Sequence, residues 1–208
     1  RTDDEYLMTM HGMFWRFPKT FTSKHSAGIR PRSAYLKVIG DFTRWNDKLV
    51  FGCDDSAQKE FLNKRKAKGG IEGPGQSNSN LWFTDISTPD KLGPAYAEGA
   101  VWMDELVEAE TPSEPFLFAG WNKKCAWIKN NGDKNVVLTF EIDKYGNNNW
   151  IELKEIEVAA GKSLFLPFTV DENGEWIRVK SSQSTNMTVC FSYGTDDKRT
   201  TVPDKIFD

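Results

Sequence analysis

Toward the end of the chain, apolar and polar residues alternate most regularly. Val136, Leu138, Phe140 and Ile142 are separated by Val137, Thr139 and Glu141, the period of a strand with one buried face. Residues 150–158 repeat the alternation through Ile151 and Leu153 but change parity to reach Ile156 and Val158, which predicts a β-bulge. Further strands are predicted around Leu164, Leu166 and Phe168, then Ile177 and Val179, then Met187, Val189, Phe191 and Tyr193. Turn formers stand between them at short intervals: Asn130-Asn-Gly-Asp, Tyr145-Gly-Asn-Asn-Asn, Ala160-Gly-Lys and Asp171-Glu-Asn-Gly. With 116–121 and 125–129 added, about seven short strands result, the number expected of an antiparallel β-sandwich.

The first half is less regular. Residues 6–17 are aromatic and Met-rich, and 34–39 and 48–53 form strand-like runs joined by Asp41-Phe-Thr-Arg-Trp-Asn-Asp47, read as a long hairpin. Residues 81–86 and 100–107 supply further strand candidates. One helix is predicted over 57–68, capped by Asp55 or Ser56, carrying a Glu60–Lys64 pair and ended by Gly69-Gly70. The Gly/Ser/Asn/Pro-rich stretch 69–80 has no apolar period, so 56–80 reads as a helix-loop insertion. Acidic and proline residues at 109–115 interrupt every periodic pattern, and a domain boundary is placed there. The expectation is an all-β protein with a β region over 1–115, a β-sandwich over 116–195 and a tail over 196–208. The first region has few strands for its many aromatic residues and looks like part of a larger β structure.

Composition narrows the class. Hydrophobic residues make up 38% of the 208 and charged residues 27%, with eight Trp and fourteen Phe, which excludes a disordered chain. No run approaches the ~20 apolar residues of a membrane helix, so no membrane partner is expected. Arg1 opens the chain without an initiator Met or an apolar signal segment, so the chain is expected to be cut from something longer. Cys53, Cys125 and Cys190 lack any C-x-x-C spacing; they read as small buried hydrophobes, with one disulfide as the alternative. The net charge of −3 hides a polarity, because residues 11–70 carry thirteen Lys/Arg against five Asp/Glu and residues 71–118 carry one against nine. Such blocks either neutralise each other across the fold or present a basic face to an anionic polymer.

Most chemical motifs dissolve on inspection. Gly161-Lys162-Ser163 looks like the end of a phosphate loop, but Ile156 stands where that loop needs its first Gly, and the segment joins two strands. The glycines of 69–75 lack the strand-to-helix context of a dinucleotide fingerprint. With only His11 and His25, neither beside an acid or Cys at ligand spacing, no metal site and no cofactor is expected.

One constellation remains. His11, Trp15, Arg16, Lys19, His25, Arg30, Arg32, Arg44 and Trp45 interleave cations, imidazoles and large aromatic faces. Arg offers a planar fork to a carboxylate, Trp a face to a sugar ring, and His a proton near neutral pH. That mixture suits a polysaccharide, acidic ones included; solvated basic loops over a Trp-rich core are the plainer reading. Nucleic acid is disfavoured by the acidic pI of ≈ 5.6 and the lack of a recognised binding motif. In the sandwich, Trp176 shares parity with Arg178 and Lys180, opposite Ile177 and Val179. It is expected on the polar face of its strand, open to sugar or covered by a neighbouring domain.

The stretches His11-Gly-Met-Phe-Trp-Arg-Phe-Pro-Lys, Gly28-Ile-Arg-Pro-Arg-Ser, Tyr35-Leu-Lys-Val-Ile-Gly-Asp-Phe and Leu81-Trp-Phe resemble the closing part of large secreted bacterial β-propeller proteins associated with polysaccharide degradation. Pro115-Phe-Leu-Phe-Ala-Gly and Glu175-Trp-Ile-Arg-Val-Lys resemble the sandwich appended to them. The resemblance implies a partial β-propeller of blade-like units before an accessory sandwich. It also implies a secreted or periplasmic location, with a polysaccharide and a missing N-terminal part of a larger chain as partners.

The chain is distantly similar to propeller-type polysaccharide lyases and glycosidases, which implies a candidate catalytic set. Arg30 or Arg32 would stabilise charge at a uronate carboxylate, and His11 or His25 would remove the C5 proton; Trp15, Arg16, Lys19, Arg44 and Trp45 are the ligand-binding candidates. A complete propeller needs about four to eight four-stranded blades, more than the first region supplies. Glycan binding is therefore expected ahead of catalysis. The alternative of another class is a structural or interaction module whose sandwich packs on a partner domain.

Overall fold

Alternation in the sequence becomes antiparallel pairing throughout the described part of the computed structural model, residues 5–54 and 79–199. The expected helix over 57–68, nearly all of the 56–80 insertion and the end of the tail lie outside the described residues. The strands are β1 (Glu5–Met10), β2 (Met13–Pro18), β3 (Arg30–Ala34), β4 (Val38–Trp45), β5 (Lys48–Asp54), β6 (Ser79–Asp85), β7 (Tyr96–Val107), β8 (Phe116–Leu117), β9 (Lys123–Asn130), β10 (Val136–Asp143), β11 (Trp150–Val158), β12 (Ser163–Phe168), β13 (Trp176–Ser181) and β14 (Thr185–Gly194). A 3-10 turn, Thr88–Asp90, precedes β7. The strands form two three-stranded sheets, β1-β2-β3 and β4-β5-β6, and two four-stranded sheets, β11-β10-β13-β8 and β12-β9-β14-β7. The protein is all-β.

The four-stranded sheets form the sandwich. Leu138, Phe140, Ile142, Ile177 and Val179 of one sheet share a buried cluster with Ala126, Ile128, Leu166, Val189 and Phe191 of the other. The parity change in β11 is a bulge: Phe140 pairs with Lys154 and Glu141 with Glu152, so Leu153 is the extra residue. The Gly161 segment is a turn between β11 and β12, with Lys162 N–H donating to Ala159 O at 3.1 Å.

The sandwich starts earlier than residue 116. β7 pairs along β14 from Thr185↔Val107 to Gly194↔Tyr96 and completes the second sheet. Two register shifts break its alternation, which is why its membership is hidden in the sequence. The acidic, Pro-rich stretch 109–115 is bound to β13, since the N–H groups of Glu110 and Ser113 donate to Ser181 O and Val179 O, both at 2.8 Å.

The N-terminal hairpins turn more tightly than expected. β1 and β2 are joined by His11-Gly12, with φ of 50° and 74°, and β4 and β5 by Asn46-Asp47, with φ of 45° and 59°. Paired positive φ values give two-residue turns whose twist matches the strands. The expected long connection 41–47 is therefore strand as far as Trp45, and the run 34–39 is split between the end of β3 and the start of β4.

Strand β2 is apolar on both faces because both are covered. Met13 and Trp15 join the sandwich cluster, while Phe14 joins a smaller one with Leu49, Phe51 and Cys53. This explains a continuous apolar run where alternation would otherwise be expected. The three cysteines are free thiols, Cys53 buried and Cys125 and Cys190 half-buried. Among the described residues no helix is long and apolar enough to cross a membrane.

Candidate functional site

Trp150, Asp143 and Trp176 lie directly opposite one another on β11, β10 and β13. Opposed residues share a face of the sheet. With strands ~4.8 Å apart, the two indoles are rooted on either side of a central carboxylate. Asp143 is buried although it points away from the sandwich core, because the turn after it folds back. Its Oδ1 accepts from the N–H groups of Tyr145 and Asn147, both at 3.2 Å, and its Oδ2 from that of Asn148 at 2.7 Å.

A segment from the N-terminal half closes the row. Ser26 N–H donates to Gly146 O at 2.7 Å, and the Trp176 indole N–H donates to Ser26 O at 3.2 Å. Gly146 has φ of 64°, and a Cβ there would collide with the backbone of Ser26 and Ala27, so this approach requires glycine. Next to these contacts Arg30 forms a two-pronged pair with Glu175, Nη1 to Oε2 at 2.7 Å and Nη2 to Oε1 at 2.6 Å. Gly28 N–H also donates to Glu175 Oε2, at 2.9 Å. Burial opposes ionisation of Glu175, but the hydrogen bonds from Arg30 and Gly28 and the charge of Arg30 outweigh it and hold the carboxyl below its usual range.

Together these elements bound an open cleft of ≈ 360 Å³. Phe21, Trp150 and Trp176 supply its apolar walls; Thr22, Ser23, Ser26 and Asn148 supply hydroxyl and amide groups. The Arg178 guanidinium lies 4.3 Å from the Trp150 ring centre, a cation–π contact that fixes the indole. Arg178 and Lys180 both bond Glu141, at 2.7 and 2.8 Å. Burial pushes the Glu141 carboxyl up, and these two cations more than reverse it.

The residues singled out in the sequence are dispersed. Trp15 is a correction: it is only 5% exposed, packs edge-on against Trp121 with ring centres 5.9 Å apart, and donates its indole N–H to Met10 O. It is core because β2 is sandwiched between two clusters. Arg32 grips Asp90 with two hydrogen bonds of 2.8 and 2.6 Å, and Arg16 lies 3.6 Å from both Glu5 and Asp90.

Both arginines line a second cavity of ≈ 500 Å³, where Glu5, Asp47 and Asp90 balance them. The hydrogen bond from Arg32 holds Asp90 below its usual range despite partial burial. Lys19 sits 5.6 Å from the Tyr6 ring centre. Arg44 pairs with Asp47 at the β4–β5 turn, and beside it Trp45 is 58% exposed and 6.1 Å from Phe83. His11 occupies the β1–β2 turn, and His25 is exposed on the loop beside the cleft, bridged to Thr22.

The opposite charge blocks meet in the pairs Arg16–Asp90, Arg32–Asp90 and Lys48–Asp85, the neutralisation that the sequence offered as one of two readings. Among the described residues no group of three or more His, Cys, Asp or Glu side chains is placed to hold a metal ion. Sequence reasoning missed Phe21, Asn148 and Trp150. Trp150 was within reach, because the bulge in β11 puts it opposite Asp143, but its partner row depends on register.

No family model and no curated protein matches this chain. Among solved structures it is similar to the SPBc2 prophage-derived protein YomS at 10% identity, with a TM-score of 0.37 over 49% of this chain and 95% of that one. It is similar to the PBSX exported protein XepA at 17% identity, with a TM-score of 0.38 over 52% of this chain and 40% of that one. An exo-beta-1,3-galactanase from Phanerochaete chrysosporium with galactose aligns at 5% identity and a TM-score of 0.29, over 91% of this chain and 56% of that one. The chain thus spans well under two thirds of the last two. All three TM-scores lie below 0.5, and the chemistry of the cleft has to be read from its own residues.

Proposed function

We propose that this chain binds a glycan through the cleft of Phe21, Trp150 and Trp176, as part of an extracytoplasmic carbohydrate-active β protein. The observation that carries the reading is the row Trp150–Asp143–Trp176, which sets two half-buried indoles beside hydroxyl and amide groups in one concavity. Sugar rings present C–H faces to aromatic side chains and hydroxyls to polar ones, and pockets of this kind combine apolar walls with a few polar groups. The sequence resemblance to polysaccharide-degrading propeller proteins supports a secreted or periplasmic chain that follows an N-terminal propeller part. Binding is favoured over lyase chemistry because Arg30 and Arg32, the candidate charge stabilisers, are each committed to a carboxylate. The test is calorimetric titration with soluble polysaccharides. Trp150→Ala is expected to weaken binding about tenfold or more while leaving the circular dichroism spectrum unchanged; equal affinity in the variant refutes the assignment.

A second reading, packing on a partner domain, is favoured by the opposite face of the sandwich. There Trp127 and Phe165 are both exposed with ring centres 4.7 Å apart, and clustered exposed aromatics mark interaction surfaces. Co-purification with the remainder of a longer chain, abolished by Trp127→Ser, combined with no sugar binding, would establish it in place of the first.

A further inference from the structure

The charges around the cleft narrow its ligand. We infer that it takes a neutral glycan, built of hexose or pentose residues without carboxylate or sulfate, a narrowing that rests on the glycan-binding reading of the same cleft. Recognition of an anionic sugar is strongest where a guanidinium or ammonium group is free to meet its charge. Among the described residues that line the cleft there is no Lys, Arg or His, and the ionisable side chain among them is the carboxyl of Asp143. The three N–H groups that Asp143 gathers are backbone dipoles, so the site offers an incoming anion a carboxylate and no counter-ion.

Two cations beside the cleft belong to other groups. Arg178 stacks on Trp150 and bonds Glu141, and Arg30 is held by Glu175. Lys24, His25 and Lys144 stand in the flanking loops and not among the lining residues. The polar groups that do line the cleft suit uncharged hydroxyls. Thr22 Oγ1 already accepts from the N–H groups of Lys24 at 3.3 Å and His25 at 3.1 Å, which leaves its proton to donate to a sugar oxygen. The Asn148 amide both donates and accepts. A volume of ≈ 360 Å³ is near the lower end of the range of about 300–1,000 Å³ for ligand pockets, so a short stretch of a chain occupies it. The same absence of cations argues against single-stranded nucleic acid, whose grooves pair stacking aromatics with positive charge.

The experiment titrates the whole chain with linear hexasaccharides of glucose, galactose, mannose and xylose, and with oligogalacturonate and oligomannuronate of equal length. At least one neutral series is expected to bind about tenfold or more tighter than either uronate, with an affinity unchanged between about 0.05 and 0.5 M salt. Phe21→Ala and Trp150→Ala should each weaken that binding about tenfold or more, and Phe21 stands on an exposed loop outside the strands. Ser23→Lys, which brings an ammonium group to the cleft lining, should improve uronate binding several-fold relative to neutral binding. Uronate binding as tight as neutral binding, or an affinity that falls with salt, overturns the neutral class and leaves the glycan reading standing. Neutral binding indifferent to both aromatic variants overturns the site. Failure of every sugar in both classes overturns the glycan reading itself.

Discussion

The sandwich and the N-terminal sheets use their aromatic residues in opposite ways. In the sandwich, inward positions from both sheets feed one cluster of 22 buried residues among those described, with Phe140, Phe168 and Phe191 in mutual contact. The N-terminal sheets centre on four buried residues, Phe14, Leu49, Phe51 and Cys53, and leave Trp45, Leu81 and Phe83 exposed. A three-stranded sheet is near the lower limit of independent stability. These sheets meet it by lending Met13 and Trp15 to the sandwich and by anchoring Ser26, Gly28 and Arg30 on residues of the sandwich. The lesson is that the smaller region depends on the larger one, and that the cleft lies on the seam between them.

The comparison breaks most severely in the shared core. Phe140→Ala should destabilise the whole protein by about 4 kcal/mol, read as a lower urea midpoint; a change confined to a fraction of the unfolding amplitude would show that the sandwich does not govern the rest. Arg30→Ala strands a buried carboxylate and should cost about 3 kcal/mol, with Glu175→Gln milder in its effect at neutral pH. This pair also gives a pH signature. The unfolded Glu titrates near about 4.3 and Glu175 in the fold titrates lower, so its stabilisation is complete above the unfolded value and is lost as pH falls through the folded one. Arg30→Ala should flatten that acid limb.

Smaller perturbations sharpen the same contrast. Gly146→Ala should cost about 2 kcal/mol through positive φ and the collision with Ala27, and hydrogen exchange should speed up selectively in residues 22–28. Lys124 is buried, donates to Glu172 O at 2.7 Å and faces the Phe118 ring at 3.9 Å. Burial pushes its ammonium down to about 8. The unfolded chain, titrating near about 10.4, then holds more protons across that interval, so stability should rise with pH from about 8 to about 10.4. A Lys124 side-chain NMR titration with a midpoint at its ordinary value would contradict this. Trp45→Ala, on the exposed face, should change stability by no more than about 0.5 kcal/mol.

The sandwich was largely legible because β9, β10, β13 and β14 each alternate cleanly against one core. β7 was not assigned to it, since two register shifts disrupt its period and its partner β14 is some 80 residues away at their Thr185↔Val107 end. The binding candidates were less legible still. Arg16, Arg30 and Arg32 looked available in a list of residues, and each carries a carboxylate from a distant part of the chain. Trp176 was read correctly as lying on the polar face, and its cover is the backbone of Ser26, 150 residues earlier.

Local chemistry by itself determined the all-β class, the inward faces of the sandwich strands, the bulge in β11 and the positions of its turns, because side-chain period and turn propensity are properties of a few consecutive residues. Tertiary structure alone decided which charges cancel, which tryptophans are core and which line the cleft. Those outcomes depend on strand register and on the docking of residues 21–30 against the sandwich, and a one-residue slip in register would move every side chain of a strand to its other face.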